Sequence, residues 1–473
     1  MDIQIVNRSE QILDPHMDLI DKVGKMARIC YKGQGDDRAT SMRIIKHCIE
    51  NGHESILEHG IISVYVNPEV TEDGKHFAEK YVNNAEGGVQ FARIWNSVAT
   101  DAQAKYLESF ADPELFTKYM ERIRPDIKLK PEDNKIMHCL VGDIRAWRQV
   151  MRERIYIATS TSNSLQFVLD LLVLYKLYCI DGEGLFFGDM IKQVDGFFED
   201  EKFCDRMLIG ADEIPKDKRN VFDVVSFYFK DDMTVLAEQA SSAASLSVII
   251  TTDRATTHQL VRHRKNVAYS QESQRYVNYD KKGYRCIPLT VESSKFPDDF
   301  IEDYDLGKVR STSEAYKEWY KAMEDAFQHY HNLQHIYDDE SGKSDLVLPP
   351  ETCRGVLPND TATTIGVTWM RPAAFVNFCY WRLDHHAQYS IRAMLARIVK
   401  DMYLQNHPFI ETVPYNAAMR WFNQIKEQKI FKDDAPIDVI IRRREAIQKF
   451  VEEQMARMKK EREDAAKSTE KKD

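Results

Sequence analysis

The sequence lacks the features that assign many proteins to a class at once. Its eight cysteines form no Cys-x-x-Cys pair and no regular spacing, which is typical of reduced, buried thiols rather than a disulfide framework. The N-terminal residues contain no apolar stretch, which predicts no signal peptide. The most apolar window, residues 164–179, is too short to span a bilayer. These absences predict a soluble, cytoplasmic protein.

Glycine-rich phosphate loops are also missing. The chain has neither Gly-x-Gly-x-x-Gly nor Gly-x-x-x-x-Gly-Lys-Ser/Thr, so any nucleotide must be bound by arginine and histidine side chains rather than by a glycine cradle. A basic surplus is absent too, because the 473 residues carry a formal net charge of −10 and the sequence pI is near 5.8. That balance argues against a protein that coats nucleic acid, and single-stranded nucleic-acid binding is the weakest alternative.

What is present is sufficient for a packed core, since 43% of the residues are hydrophobic and 30% are charged. The length suggests two or three domains, or one domain with a large insertion. Residues 1–66 mix helical segments with a short strand pattern at 60–66. Residues 67–240 carry helical patterns and no chemical motif, which predicts an inserted, mainly helical region.

Beyond the predicted insertion, residues 241–430 are expected to complete one domain with residues 1–66. A strand is predicted over 245–252, followed by Asp253 as the N-cap of a helix over 254–264. A long helix is predicted over 311–333. The end of the chain predicts an amphipathic C-terminal helix over 431–458, and then a charged disordered tail over 459–473.

The densest group of polar side chains is the stretch VRHRKNVAYSQESQRYV, residues 261–277. Arg262, His263, Arg264 and Lys265 are consecutive, and the whole stretch contains one acid, Glu272. A solvated charge run would normally alternate signs. Planar guanidinium groups suit phosphate and carboxylate oxygens, so the stretch predicts an anion-binding site, with a plain basic surface patch as the alternative.

Three further segments are more polar than their positions require: GHESILEH (52–59), CRGVLPND (353–360) and YWRLDHHAQYSIR (380–392). The two histidines of GHESILEH are six residues apart, whereas a zinc protease helix needs a spacing of four, so no metal site is predicted. Cys353 lies beside Arg354 and is the one cysteine with a hint of the electropositive setting that a catalytic thiolate needs. A structural histidine or a solvated helix face would explain each segment taken alone.

Taken together and in this order, the segments resemble the signatures of the flavin-dependent thymidylate synthase family. That family is marked by Gly-His-x-Ser-x-x-Glu-His, by an Arg-His-Arg triplet followed by Ser-x-Arg, and by downstream Arg-x-Val-Leu-Pro and Ala-Gln-x-x-Ile segments. The corresponding residues here are GHESILEH, VRHR with SQESQRYV, CRGVLP and AQYSI. The resemblance covers residues 1–66 and 245–410.

The resemblance implies a mixed α/β (α+β) fold, in which helices flank a central, mostly antiparallel sheet, with the large helical insertion and the C-terminal helix added to it. It also implies reductive methylation of dUMP to dTMP, with FAD carrying the hydride and with NADPH and methylenetetrahydrofolate as co-substrates. The family forms homotetramers with shared active sites, and no nucleic-acid or membrane partner is expected. Because the flavin would carry the hard chemistry, no protein nucleophile would be required.

By position, the resemblance assigns side chains to the cofactor and to the substrate. Those expected to contact FAD are His53, Ser55, Arg262, His263, Arg264, Gln271, Asn377 and His386. Those expected to hold dUMP are Gln259, Ser273, Gln274, Arg275, Arg354 and Arg382. Two of them, Ser273 and Arg382, are also expected to be catalytic, and Arg382 would lie against the uracil ring and polarise it.

Some positions depart from the family pattern. The spacing from the Arg-His-Arg triplet to Ser273 is one residue longer than usual, and Ala268 stands where a hydroxyl is usual. The segment TWMRPAAF replaces the usual Asn-x-Arg, and Ser390 stands where Glu is common. The insertion is very large for the family. These changes leave open a related hydroxymethylase acting on dUMP or dCMP, or a catalytically silent nucleotide- or flavin-binding protein.

Overall fold

The computed structural model describes residues 3–31, 35, 37–66, 138–162, 164–208, 210–229, 235–240, 245–289, 302–303, 308–309, 314–341, 347–431 and 433–469. The first part of the predicted insertion, residues 67–137, lies outside the described residues. So do residues 311–313 of the helix predicted over 311–333, and residues 470–473 of the predicted tail.

Up to residue 240, short strands alternate with amphipathic helices. The strands are β1 (Ile3–Ile5), β2 (Ser9–Ile12), β3 (Ile61–Val66), β4 (His138–Asp143) and β5 (Val235–Gln239). The helices are α1 (Leu19–Tyr31), α2 (Arg38–Glu50), α3 (Ile144–Thr161), α4 (Ser164–Asp181), α5 (Gly188–Phe197), α6 (Glu201–Met207) and α7 (Val221–Phe229). Short 3-10 helices lie at Glu54–His59, Ala211–Glu213 and Lys216–Lys218.

After residue 240, two long buried strands are embedded among helices. The strands are β6 (Leu246–Asp253), β7 (Val267–Gln271), β8 (Tyr284–Cys286), β9 (Glu302–Asp303), β10 (Lys308–Val309) and β11 (Ala362–Trp369). The helices are α8 (Arg254–Leu260), α9 (Tyr279–Lys282), α10 (Glu314–Ser341), α11 (Pro350–Cys353), α12 (Pro372–Arg382), α13 (Tyr389–Leu404), α14 (Tyr415–Glu427) and α15 (Ala435–Thr469). Further 3-10 helices lie at Arg354–Val356 and Pro408–Thr412.

The central sheet has the strand order β2–β6–β11–β7, and every neighbouring pair is antiparallel. Its two middle strands pair along their whole length, from Leu246 opposite Trp369 to Asp253 opposite Ala362. Both strands are almost entirely buried, because helices cover the two faces of the sheet. On one face α1 packs so closely that a Cβ added to Gly366 would lie 2.3 Å from Sδ of Met26.

The second sheet has the order β4–β3–β5 and is also antiparallel. β3 coincides with the strand predicted near 60–66, and its two partners come from the region predicted as an insertion. The helices after β4 share one hydrophobic core with α1 and α2, in which Ile45, Trp147 and Phe167 are all buried. Residues 138–240 therefore pack onto the N-terminal segment, and the predicted domain division at residues 66 and 240 stays a prediction.

The mixed fold with antiparallel sheets is confirmed. The C-terminal helix, in contrast, differs from the prediction: α15 continues to Thr469, past residue 458, where a disordered tail was expected to begin. The segment is rich in Lys, Glu, Arg and Ala, whose high helix propensities favour continuation of the helix. Within the described ranges, none of the helices combines the length and apolar character that a membrane span requires.

Candidate nucleotide-binding site

The site is built where β6 ends and α8 begins. As predicted, Asp253 is the N-cap of α8, and its carboxylate accepts a hydrogen bond from the Thr256 amide at 2.7 Å. The same carboxylate accepts a second bond from Nη2 of Arg8 at 2.9 Å, and both side chains of that ion pair are buried. These contacts fix the start of the helix that leads to the Arg-His-Arg triplet.

The helix itself is shorter than predicted, because α8 ends at Leu260 rather than at residue 264. The hydroxyl group of Tyr269 lies 2.7 Å from the carbonyl oxygen of Leu260 and 2.6 Å from that of His263, and so satisfies carbonyls that further helix would have paired. Asn266 then adopts a left-handed conformation with φ of 57°, which Asn tolerates better than most residues. The triplet consequently lies in a turn rather than on a helix.

At the centre of this turn, Nε of Arg382 donates a hydrogen bond of 2.9 Å to Nε2 of His263. Arginine can only donate, so Nε2 of this imidazole is the acceptor and the ring is neutral, with its proton on Nδ1. Burial and then the charge of Arg382 both lower the pKa of His263, in agreement with a neutral ring. The ring also packs edge to face on Phe378, with centroids 4.9 Å apart.

The turn carries positive charge that has no acidic partner. Burial and the nearby charge of Arg262 lower the pKa of Arg382. Among the described residues, no carboxylate lies within 4 Å of a guanidinium nitrogen of Arg262, Arg264 or Arg382. Cations gathered without counter-charges are destabilising unless an anion joins them, so the geometry supports the predicted anion site over a plain basic patch.

The segment after the triplet begins with the strand β7, in which Ser270 is buried. The predicted dUMP residues follow in a tight turn, in which the Ser273 hydroxyl accepts from the Arg275 amide at 3.3 Å. Gln274 is hydrogen-bonded to the Tyr279 hydroxyl. Arg275 is exposed and forms an ion pair of 3.2 Å with Glu351.

A second cationic position was not predicted from the sequence. Arg254, the first residue of α8, is half-buried and donates from Nη1 to the carbonyl oxygen of Glu272 at 3.4 Å. Burial lowers its pKa, and the nearby charge of Arg354, an exposed residue among those predicted for dUMP, lowers it further. A signal was available in the sequence, because an arginine in the first turn of a helix opposes the macrodipole and requires another reason to be there.

The remaining predicted residues lie around this centre. The side-chain amides of Gln259 and Gln388 are hydrogen-bonded, which joins α8 to the start of α13. Gln271 donates to the Thr257 hydroxyl at 2.8 Å. Two predicted flavin residues on the other side, Asn377 and His386, are exposed, and the His386 imidazole contacts Asp384 at 2.7 Å.

The segment GHESILEH, residues 52–59, has an exposed end and a buried end. His53 and Ser55 are exposed at the start of the 3-10 helix Glu54–His59. Within the described residues, no hydrogen bond joins Ser55, Asn377 or His386 to the Arg382–His263 pair. The structure therefore brings the triplet and Arg382 together within one chain, and it leaves these three predicted flavin residues on the surface.

His59, at the buried end of the motif, is the structural histidine that was one interpretation of this segment. It is 0% exposed, and its ring contacts the hydroxyls of Thr368 at 2.9 Å and Ser270 at 3.0 Å. Burial, with a smaller effect of Lys22, lowers its pKa to about 3. His59 is therefore a neutral histidine that links the 3-10 helix to β11 and to β7, the strand that leads into the site.

Cys353, the candidate nucleophile, is fully buried, and burial raises the pKa of its thiol. Its Sγ lies 3.9 Å from the carbonyl oxygen of Leu348. A nucleophilic cysteine needs access and a lowered pKa, so this setting does not suit a thiolate.

Comparison with known proteins bears on this arrangement. Residues 219–408, which include the triplet, the Ser-x-Arg segment and Arg382, match the family of thymidylate synthase complementing proteins. Over this part, the chain is thus similar to the thymidylate synthase complementing proteins. The resemblance predicted from the motifs is thereby confirmed.

Two curated members show how far the similarity to the family extends. A flavin-dependent thymidylate synthase of Mycolicibacterium vanbaalenii is 29% identical over 160 residues, which is 34% of this chain and 58% of that protein. The corresponding enzyme of Clostridium tetani is 30% identical over 149 residues, or 32% of this chain and 54% of that protein. The chain thus spans little more than half the length of these relatives.

A solved structure, titled as a UMP/dUMP methylase PolB from Streptomyces cacaoi bound with 5-Br dUMP, is also similar. It is 18% identical, covers 38% of this chain and 70% of its own, and superimposes with a TM-score of 0.26. At that TM-score the superposition supports no statement about the arrangement of the strands and helices here. The roles of the individual site residues in this chain stay predictions.

Proposed function

We propose that the chain is a flavin-dependent thymidylate synthase, which converts dUMP to dTMP by reductive methylation. The observation that carries the proposal is the hydrogen bond from Arg382 to His263, which joins two family motifs 119 residues apart into one cationic turn. The names of the two curated relatives support the same activity. The family's characteristic sheet arrangement is part of the proposal.

The residues present fit the groups that this activity needs. FAD and dUMP are both anionic. The turn offers Arg262, Arg264 and Arg382, and among the described residues no carboxylate forms an ion pair with any of the three. On the other side of the substrate loop, Arg254 and Arg354 form a second cationic position. Two separate positions suit two phosphate-bearing molecules, with FAD at the triplet and dUMP between the loop Ser273–Arg275 and Arg354.

Reduced FAD, when bound, would supply the hydride, while NADPH would provide the reducing equivalents and methylenetetrahydrofolate the one-carbon unit. The protein's part is to bind and orient these molecules and to stabilise charge. Nε of Arg382 is engaged with His263, so the guanidinium plane is held while its Nη hydrogens remain for an oxyanion. Negative charge that develops on a uracil carbonyl would be stabilised there.

His263 acts in this scheme as a positioning residue. Its neutral ring keeps Nε2 as an acceptor and so orients Arg382. Protonation would remove that acceptor and add a like charge beside the guanidinium group. No cysteine nucleophile is invoked, in agreement with the burial of Cys353.

We further propose a homotetramer with shared active sites. The support is the exposure of Ser55, Asn377 and His386, which would then meet the cationic turn of another subunit. Co-expression of the inactive variants Ser55→Ala and Arg382→Ala tests this idea. Activity recovered in the mixture supports shared sites, and a mixture as inactive as its components contradicts them.

The test of the activity is the mass of the nucleotide formed from dUMP with FAD, NADPH and methylenetetrahydrofolate. Gain of one methyl group, lost in Arg382→Ala and retained in Cys353→Ala, supports the proposal. A bound flavin spectrum without product, and without exchange of the C5 proton of dUMP, would instead indicate a catalytically silent flavin-binding protein.

One observation favours keeping the C5 hydroxymethylase as a second candidate. Two segments that depart from the family pattern, the one that contains Ala268 and the one that reads TWMRPAAF, are neighbours in the structure. The Met370 amide donates to the Asn266 carbonyl oxygen at 3.0 Å. Ala268 pairs with Thr368 in the adjoining strands. A joint change beside the triplet could redirect the one-carbon unit, and a hydroxymethyl product or turnover of dCMP alone would identify that activity.

A further inference from the structure

A cluster of two histidines and one aspartate lies outside the nucleotide site. His331 and His335 are one helical turn apart on α10, so both imidazoles lie on one side of that helix. Asp280 approaches them from α9. Its two carboxylate oxygens lie 2.7 Å from Nδ1 of His331 and 2.9 Å from Nε2 of His335. The two rings themselves are 4.6 Å apart between centroids.

The spacing of these atoms is close to what a metal ion requires. One potential ligand atom from each residue lies within 4.8 Å of the other two. Ligand atoms around tetrahedral zinc are about 3.3 Å apart, given metal–ligand distances near 2.0–2.1 Å. Small side-chain rotations would therefore place all three ligands on one ion. The two nitrogens that now contact Asp280 are those that would bind it.

The surroundings support and orient the ligands. The hydroxyl group of Tyr284 donates to Asp280 Oδ1, the same oxygen that contacts His331, and so helps to orient the carboxylate. Such a partner beyond the ligands is typical of built metal sites. The side chains are partly accessible, with exposed fractions of 40% for His331, 31% for His335 and 21% for Asp280. An ion can thus enter, and water can complete its coordination.

We propose that Asp280, His331 and His335 form a binding site for a divalent transition metal ion, with Zn²⁺ as the favoured ion. Imidazole and carboxylate together suit zinc more than the harder calcium or magnesium ions, which prefer oxygen ligands alone. The ion would cross-link α9 to the long helix α10. Because α9 directly follows the loop that carries Ser273, Gln274 and Arg275, bound metal would restrain one end of that loop.

A second group, Asp384 with His385 and His386, serves as the internal comparison. Its three residues are consecutive on an exposed turn, and the side chains of His385 and His386 are 69% and 81% exposed. In the part of the chain that the structure describes, no hydrogen bond or ion pair joins these three side chains to another element. The proposal therefore assigns the tighter site to Asp280, His331 and His335, and predicts weak binding at the exposed turn.

The test is calorimetric titration of the full chain with Zn²⁺ after removal of metal, together with the visible spectrum of the Co²⁺ form. One tight equivalent of Zn²⁺ is expected, and the double substitution His331→Gln/His335→Gln should abolish it. Tyr284→Phe should keep the stoichiometry but raise the Kd about tenfold, as loss of an orienting partner does. His329→Gln, an exposed histidine on the same helix, is the matched control and should change nothing.

Three outcomes would overturn the proposal: no tight equivalent in the unmodified chain, a tight equivalent that survives His331→Gln/His335→Gln, or one that is lost in His385→Gln/His386→Gln. If the double variant fails to fold, anomalous diffraction from crystals of the unmodified chain soaked in Zn²⁺ decides. A peak between the three side chains supports the site, and a peak elsewhere or no peak refutes it.

Discussion

Acidification should destabilise this protein through His59, and the size of the effect follows from its surroundings. The imidazole is 0% exposed, and its pKa is lowered to about 3 from an ordinary value of 6.5. Burial is the main cause, because the charged ring would lose its hydration between two neutral hydroxyls. The folded state therefore binds fewer protons than the unfolded state wherever the pH lies between these two values.

The sign and magnitude can be worked out by proton linkage. Because the folded pKa is lower, the stabilisation is complete above the unfolded value and is lost as the pH falls toward the folded value. The full difference of about 3.5 pKa units corresponds to ~5 kcal/mol at 1.36 kcal/mol per unit. At pH 4.5 the unfolded histidine is almost fully protonated and the loss is roughly 3 kcal/mol.

The assay is urea unfolding at pH 7 and pH 4.5 for the unmodified chain and for His59→Gln. The variant has a lower stability at both pH values but no titrating group at this position. Other titrating residues, such as the buried His407, are common to both proteins and cancel in the difference. The unmodified chain should lose roughly 3 kcal/mol more than the variant on acidification. Equal losses would refute the assignment of His59 as a buried neutral histidine.

Three further predictions concern the site and the C-terminus. Arg275→Ala should raise the KM for dUMP by roughly thirtyfold, as loss of a ~2 kcal/mol charged hydrogen bond does. Glu351→Ala releases Arg275 from its ion pair and should not raise the KM. The opposite pattern in steady-state kinetics would contradict the role of Arg275. Cys353→Ala should keep the turnover number within about twofold, since the thiol is buried. Loss of turnover in a variant with an unchanged circular dichroism spectrum would support Cys353 as a nucleophile. Deletion after Met458 should leave Tm and turnover unchanged, because the last turns before it are largely exposed, and a lower Tm would show that the end of α15 packs on another subunit.

The sequence by itself determined the local features of the fold and the chemistry of the site. The apolar run over 245–252 predicted strand β6, and the carboxylate of Asp253 predicted its role as a helix cap, since both depend on neighbours along the chain. The mixed fold with antiparallel sheets and the similarity to the flavin-dependent thymidylate synthases were likewise predictable. Short motifs in a fixed order, such as the Arg-His-Arg triplet and the later Ser-x-Arg, carried both predictions.

Only the tertiary structure decided which distant groups meet. His263 and Arg382 are 119 residues apart, and no local pattern indicates that one accepts a hydrogen bond from the other. The early end of α8 depends on Tyr269, which arrives from the next strand. Burial of His59 required β7 and β11 to close over it, and the approach of Asp280 to His331 joins two helices distant in sequence. Burial, charge proximity and ligand geometry are properties of the packed chain, because they depend on which surfaces exclude water from each other.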